Sequence, residues 1–442
     1  MIREVLVDAF RCPEEFCSYT VASDLSNHPG YFLFGQETIC YGRCSGNPSN
    51  APIGLAYDAF NDIQMNGSVP TLPFDPNEVI ENLRFERYAA KPRGPKEKLL
   101  YDTYYLVRPL LPVRLRKYIQ RLRLNGSRTV PFPGWPVDST VEGVLENLLT
   151  VALRCQGRTS MPFVWFWPHG LPSCAIITHD IETSAGLEFC SKLMDIDDSF
   201  GIKSSFQVVP EKRYSVSERM LASIRDRGFE VNIHDLNHDG HLYSERKEFL
   251  RRARKINEYA RRYQALGFRS GALYRNLEWY DAFEFSYDMS VPMTGTFEAQ
   301  GGGSCTIRPY FIYDLVELPL TTIQDYSLFH ILGDYSIDIW KQQVDKIIER
   351  HGLISFIIHP DYVIEKKAQD TYRSLLEYLT QLRAEGKLGI ECPGEVAKWW
   401  RERSQMTLAK NEEDKWHIAG LGHERARVAR ACLEGTRIKY SV

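Results

Sequence analysis

The chain has 442 residues, 43% of them apolar and 25% charged, with a formal net charge of -3. That length suits two or three domains, the composition is that of an ordinary globular protein, and the charge argues for neither nucleic acid nor a strongly acidic partner. No apolar run approaches the ~18 residues that span a bilayer. The first residues lack the apolar stretch and cleavage site of an export signal, so a cytoplasmic location with reduced thiols is expected.

In chain order, residues 1–65 read as a small β module, with short strands at Val5–Phe10, Tyr31–Phe34 and Thr38–Tyr41 between Pro, Asn and Gly. Cys12, Cys17, Cys40 and Cys44 have spacings near those of zinc sites but looser, and read as buried free thiols. Residues 66–165 read as a helical and extended connecting region. It contains helices at Pro76–Tyr88 and Val141–Leu153 and a stiff segment at Thr129–Pro136. A basic amphipathic helix over 112–124 places Leu115, Tyr118, Ile119 and Leu122 on one face. It reads as a solvated helix packed on the main domain, with peripheral membrane contact as the other reading.

Over 166–404 strands and helices alternate. Strands at Ala175–Thr178, Ser204–Val209, Phe229–Ile233, Leu353–Ile358 and Leu388–Glu391 are separated by helical stretches. Such βα units imply a parallel sheet with helices outside, and polar residues at several strand ends favour a barrel over an open sheet. There is no glycine-rich dinucleotide loop. Residues 405–442 alternate polar and apolar around Gly420, Gly422 and Gly435, which predicts a small antiparallel β appendage.

The strand ends carry the candidate chemistry. The first runs into Asp180 and Glu182, two residues apart and so expected on one side. The strand 229–233 leads into His234 and His238, which can face one point if the chain turns helically there. Two imidazoles and a carboxylate are a standard catalytic-metal set with positions left open for water. Arg269 lies in Gly267-Phe268-Arg269-Ser270-Gly271, and His359 ends the apolar run from Ile354. Trp135, Trp165, Trp167 and Trp279 read first as packing residues, and as sugar-stacking groups second.

Taken together and in this order, these motifs resemble those of the polysaccharide deacetylases of carbohydrate esterase family 4, with chitooligosaccharide deacetylase homology. The resemblance covers about residues 170–400 and includes the connecting text Phe200-Gly201-Ile202-Lys203-Ser204-Ser205-Phe206 and the lead into His234 from Arg227. It implies an α/β fold, an irregular (β/α) barrel, here with a small N-terminal β/helical region and a short C-terminal β appendage. It also implies Asp180 as catalytic base, Glu182, His234 and His238 as metal ligands, Arg269 holding the base, and His359 as catalytic histidine. The metal implied is divalent, zinc first, with cobalt or another ion possible. Three positions depart from the usual pattern. Ile181 stands where a second aspartate commonly follows the base, so Glu182 fits the variant with one residue between the carboxylates. Gly271 replaces a proline, and Phe356 a leucine. The implied activity is removal of an N-acetyl group from an amino sugar in an oligosaccharide or polysaccharide precursor. The separated carboxylates suggest a hydrolase of cyclic ureides or imides as an alternative. The altered positions suggest a catalytically decayed sugar-binding or scaffold protein as another.

Overall fold

The computed structural model describes residues 5–65, 67–89 and 132–442; the basic helix expected over 112–124 lies outside them. Nine strands form the central sheet: β1 (Cys174–Asp180), β2 (Ser205–Val208), β3 (Glu230–His234), β4 (Gly267–Arg269), β5 (Tyr287–Asp288), β6 (Tyr310–Ile312), β7 (Leu315–Glu317), β8 (Leu353–Ile357) and β9 (Gly389–Ile390). Their order is β6-β7-β5-β4-β3-β2-β1-β8, with β9 paired to the start of β1. Every pairing is parallel except β6 with β7.

The sheet curls into a barrel that backbone pairing leaves open between the β7 and β8 sides. Side-chain hydroxyls bridge that gap. Thr321 Oγ1 donates to the Leu353 carbonyl (2.8 Å) and accepts from the Ser355 N–H (2.9 Å), and Thr322 Oγ1 donates to the Ser355 carbonyl (2.7 Å). Two threonines therefore satisfy backbone groups that a regular ladder would pair, and this makes the barrel irregular.

β1 is buried along its whole length. Its residues alternate between two cores, as expected where both sheet faces are covered. Ala175 and Ile177 join Leu193, Leu221, Ile256 and Leu375 of the surrounding helices. Cys174 and Ile176 join a second core built with Phe10, Phe32, Phe34 and Leu148 of the N-terminal region. The barrel interior is thus filled with apolar side chains where the strands begin. Its polar residues collect where they end.

Val5–Phe10 is a helix, not the strand expected. Its buried residues, Leu6 and Phe10, are four apart, which is helical spacing. The strands expected at Tyr31–Phe34 and Thr38–Tyr41 form at Gly30–Leu33 and Ile39–Gly42 and pair antiparallel. In the tail, Thr407–Lys410 pairs with Trp416–Ala419, while Val428–Glu434 lies between Arg437–Ser441 and Ser160–Val164. Arg403, 1% exposed, fastens these parts together. Its guanidinium donates to the carbonyls of Trp165 (2.9 Å), Val164 (2.7 Å), Ala9 (3.0 Å) and Phe10 (3.3 Å). Arg403→Leu leaves four acceptors unpaired, three of them buried, and is expected to cost at least about 3 kcal/mol, measured by urea unfolding. Among the described residues, no helix is long and apolar enough to cross a membrane.

Candidate metal centre

Asp180 closes β1 on the interior side with Thr178. Ile181 turns the other way, into the outer core, fully buried. Its N–H donates to the Gln207 carbonyl (3.1 Å), and its carbonyl accepts from the Tyr214 hydroxyl (2.8 Å). With residue 181 committed to packing, the next inward carboxylate is Glu182. Glu182 is held by its own N–H, which donates to Asp361 Oδ2 (3.1 Å), and by the Thr183 hydroxyl, which donates to the other oxygen of Asp361.

His234 ends β3. Its Nδ1 faces the Arg269 carbonyl at 3.2 Å. A carbonyl only accepts, so the proton sits on Nδ1 and Nε2 keeps its lone pair. His238 does not reach the site through a helical turn, as expected from its spacing. Asp235 and His238 both take left-handed backbone angles (φ 58° and 53°), and this sharper turn brings the two imidazoles to 4.7 Å between centroids. His238 Nε2 lies 3.1 Å from Glu182 Oε1, and His234 Nε2 lies 3.9 Å from Asp180 Oδ2. His241 is exposed, with its backbone N–H on Asp239.

Donor atoms of Glu182, His234 and His238 all lie within 4.8 Å of one another, the one such group of His, Cys, Asp and Glu among the described residues. His234 Nε2 and Asp180 Oδ1 are buried without a hydrogen-bond partner, and His238 Nε2 has Glu182 Oε1 beside it. Buried polar atoms are ordinarily satisfied, so two orphans beside a carboxylate and a second imidazole fit a cation. Cys12, Cys17, Cys40 and Cys44 are buried free thiols, with the sulfurs of Cys12 and Cys17 3.1 Å apart.

Arg269 is fully buried, with Nη1 3.7 Å from Asp180 Oδ2 and Nη2 donating to Thr178 Oγ1 (3.0 Å). Burial pushes the Asp180 carboxyl up, but Arg269, His234 and His359 outweigh it and hold it below the usual range. Burial likewise opposes ionisation of Glu182, and His238, His359 and His234 overcome it by more. Burial drives the His234 ring down to about 4, with Asp180 pulling the other way. At His238 burial is outweighed by Glu182, and the ring is raised.

His359 lies across the site, with Nε2 3.8 Å from Glu182 Oε1. Asp325 grips it twice: one carboxylate oxygen faces Nδ1 at 2.7 Å, and the other accepts from the His359 N–H at 2.7 Å. Burial pushes this ring down too, but Asp325, then Glu182 and Asp180, lift it to about 10. The ring is therefore protonated at neutral pH.

The six residues singled out from the sequence thus lie together. Asp325, Asp361 and Tyr362, whose hydroxyl donates to Glu182 Oε2 (3.3 Å), were not anticipated. Asp361 and Tyr362 directly follow the His359-Pro360 pair and are found by continuing that motif. Asp325 sits in the loop before a short turn of π-helix, Tyr326–Leu332, with no periodicity to mark it. Trp165 and Trp167 are packing residues, with indole N–H groups on the carbonyls of Leu171 and His351. Trp135 is 37% exposed, edge-on to Phe297.

Gly271 has a steric reason. A Cβ there would lie 2.6 Å from Asp235 Oδ2 and 3.1 Å from His238 Cδ2. Gly271→Ala is expected to displace His238 and weaken zinc binding about tenfold, the lower end of what supporting residues of metal ligands contribute. Titration with zinc against a chromophoric chelator reads this.

No protein-family model matches the chain, and no curated protein matches it. Solved structures do. One is from Mycobacterium smegmatis and described as a polysaccharide deacetylase: 17% identity, 54% of this chain, 93% of that one and a TM-score of 0.44. Another is the PuuE allantoinase, with 11% identity, 53% and 92% coverage, and a TM-score of 0.42. A third is a family 4 acetyl xylan esterase from Clostridium thermocellum bound to cobalt: 13% identity, 51% and 91% coverage, and a TM-score of 0.34. The likeness is one of fold. The chemistry follows from this chain's own side chains.

Proposed function

We propose that the chain is a metal-dependent hydrolase that removes the acetyl group from an N-acetylated amino sugar in an oligosaccharide or polysaccharide precursor. The observation that carries this reading is the convergence of Glu182, His234 and His238, with Asp180 beside Arg269 on one side and His359 held by Asp325 on the other. Two imidazoles and a carboxylate suit zinc. Glu182, His234 and His238 would hold a divalent ion, which would supply polarisation of an amide carbonyl and a water nucleophile at neutral pH.

The chain's own groups then handle the protons. Asp180, kept ionised beside Arg269, accepts the proton of the attacking water at a carboxylate oxygen. His359, with Nδ1 held by Asp325, presents Nε2–H to the departing nitrogen. Without that proton the leaving group would be an amide anion, far too basic to depart. The products are a free amine and acetate. The low polarity around these buried groups strengthens each of these interactions.

A specific feature favours a second substrate class. The one-residue gap between Asp180 and Glu182 is the arrangement expected for a cyclic ureide or imide hydrolase on the same barrel. The protein is offered an N-acetylated amino-sugar oligomer and a cyclic ureide in parallel. Released acetate supports the first reading, and ring-opened product without acetate replaces it with the second.

A further inference from the structure

The loop between β2 and the helix Glu218–Asp226 forms one side of an open groove. Lys212, Arg213 and Tyr214 line it there, and Tyr259, Arg262 and Tyr263 line it from the facing helix and its end. Its volume of about 510 Å³ is within the range of small-ligand clefts, and no Asp or Glu is among the described residues that line it. On the facing helix Arg262 is paired with Glu218 (3.2 Å) and Lys255 with Glu211 (3.3 Å). Lys212 and Arg213 are exposed, and neither has a carboxylate partner among the described residues. Successive residues of an extended chain point to opposite sides. Lys212 has a left-handed backbone instead (φ 69°), and both cationic side chains line the groove.

The groove shares a wall with the candidate metal centre. Arg213 Nη2 lies 3.0 Å from His238 Nδ1 and donates to the His238 carbonyl (2.5 Å). The Tyr214 hydroxyl accepts from the Val209 N–H (2.8 Å) and donates to the carbonyl of Ile181, the residue between Asp180 and Glu182. We propose that Lys212 and Arg213 bind an anionic group of the substrate, so that the amino sugar carries a phosphate or a carboxylate near its acetamido group. The proposal rests on the reading of the centre as an amino-sugar deacetylase and narrows its substrate class. Two adjacent cations without counter-charges, in a groove free of carboxylates, attract an anion. Both contacts of Arg213 use Nη2, which leaves its Nε and Nη1 hydrogens for the oxygens of a ligand. A guanidinium matches the oxygens of a phosphate or carboxylate in direction, and the Lys212 ammonium adds a point charge beside it. An anion held there lies on the His238 side of the centre.

The test uses the full chain carrying Asp180→Asn and incubated with zinc, so that bound sugar is not consumed. Calorimetric titration compares N-acetylglucosamine with N-acetylglucosamine 1-phosphate and with N-acetylglucosaminuronic acid. At least one charged sugar is expected to bind about 10- to 100-fold more tightly than the neutral one, the effect of a hydrogen bond to a charged group. Which of the two does so identifies the anion. The preference should shrink as sodium chloride is added. Lys212→Gln, at a side chain without a bond to the centre, and Arg213→Gln should each lose most of it. Arg430→Gln, the same charge change on the exposed side of the tail strand Val428–Glu434, should keep it. A charged sugar bound no more tightly than the neutral one, or a preference that survives both groove variants, overturns the proposal. Acetate release from the chain without Asp180→Asn scores the parent reading separately. A preference carried by Lys212 and Arg213 with no acetate released leaves the anion site standing and overturns the deacetylase reading instead.

Discussion

Asp180→Asn is expected to lower kcat by about a hundred- to ten-thousand-fold, the range that a positioned general base contributes, while zinc content stays at the wild-type level. The substitution keeps the volume and the neighbours of a side chain that is almost fully buried. It removes the negative charge facing Arg269 and with it the group that accepts the water proton. Because Glu182, His234 and His238 hold the cation in this account, KM should move much less than kcat. Steady-state kinetics with acetate release as the readout, beside metal analysis of the same sample, checks both halves. Activity within threefold of wild type would remove Asp180 from the role of base.

The second large effect is at Asp325. With Asp325 in place the His359 ring is lifted to about 10, against an ordinary value of 6.5. The sign follows from that. A ring with a raised folded value contributes stability that is fully present below about 6.5 and is lost as pH rises through about 10. The same interval bounds its service as an acid, since only the protonated ring can donate. In Asp325→Asn the first-ranked opposing influence, burial, is no longer offset by the nearest carboxylate. The alkaline limb of kcat is expected to move down by about three pH units or more, toward the ordinary value of 6.5, with a loss of about tenfold or more at pH 8. The pH–rate profiles of the two proteins test this. Coincident alkaline limbs would show that the proton comes from another group.

The parts of this site that were readable in the sequence are those fixed by strands. Asp180, His234, Arg269 and His359 each stand at or just beyond the end of an apolar run, and parallel strands deliver their ends to one rim. Glu182 was readable because Ile181 is the one apolar residue between two carboxylates. What was not readable comes from long-range pairing between loops. Asp325 meets His359 only because β7 and β8 flank the opening that Thr321 and Thr322 bridge. Arg213 reaches His238 from the loop after β2. At His238 two left-handed residues, Asp235 and His238, replace the helical path that the spacing of four suggests. Val5–Phe10 is helical although its β-branched residues favour a strand locally; its buried pair, Leu6 and Phe10, has helical spacing.

The metal content of the purified protein, by mass spectrometry beside a His234→Ala control, bears most directly on the centre. One divalent ion per chain in the wild type, and a small fraction of that in the variant, is the result predicted here. A wild type without stoichiometric metal, or a variant that retains it in full, would contradict the assignment of Glu182, His234 and His238 as its ligands.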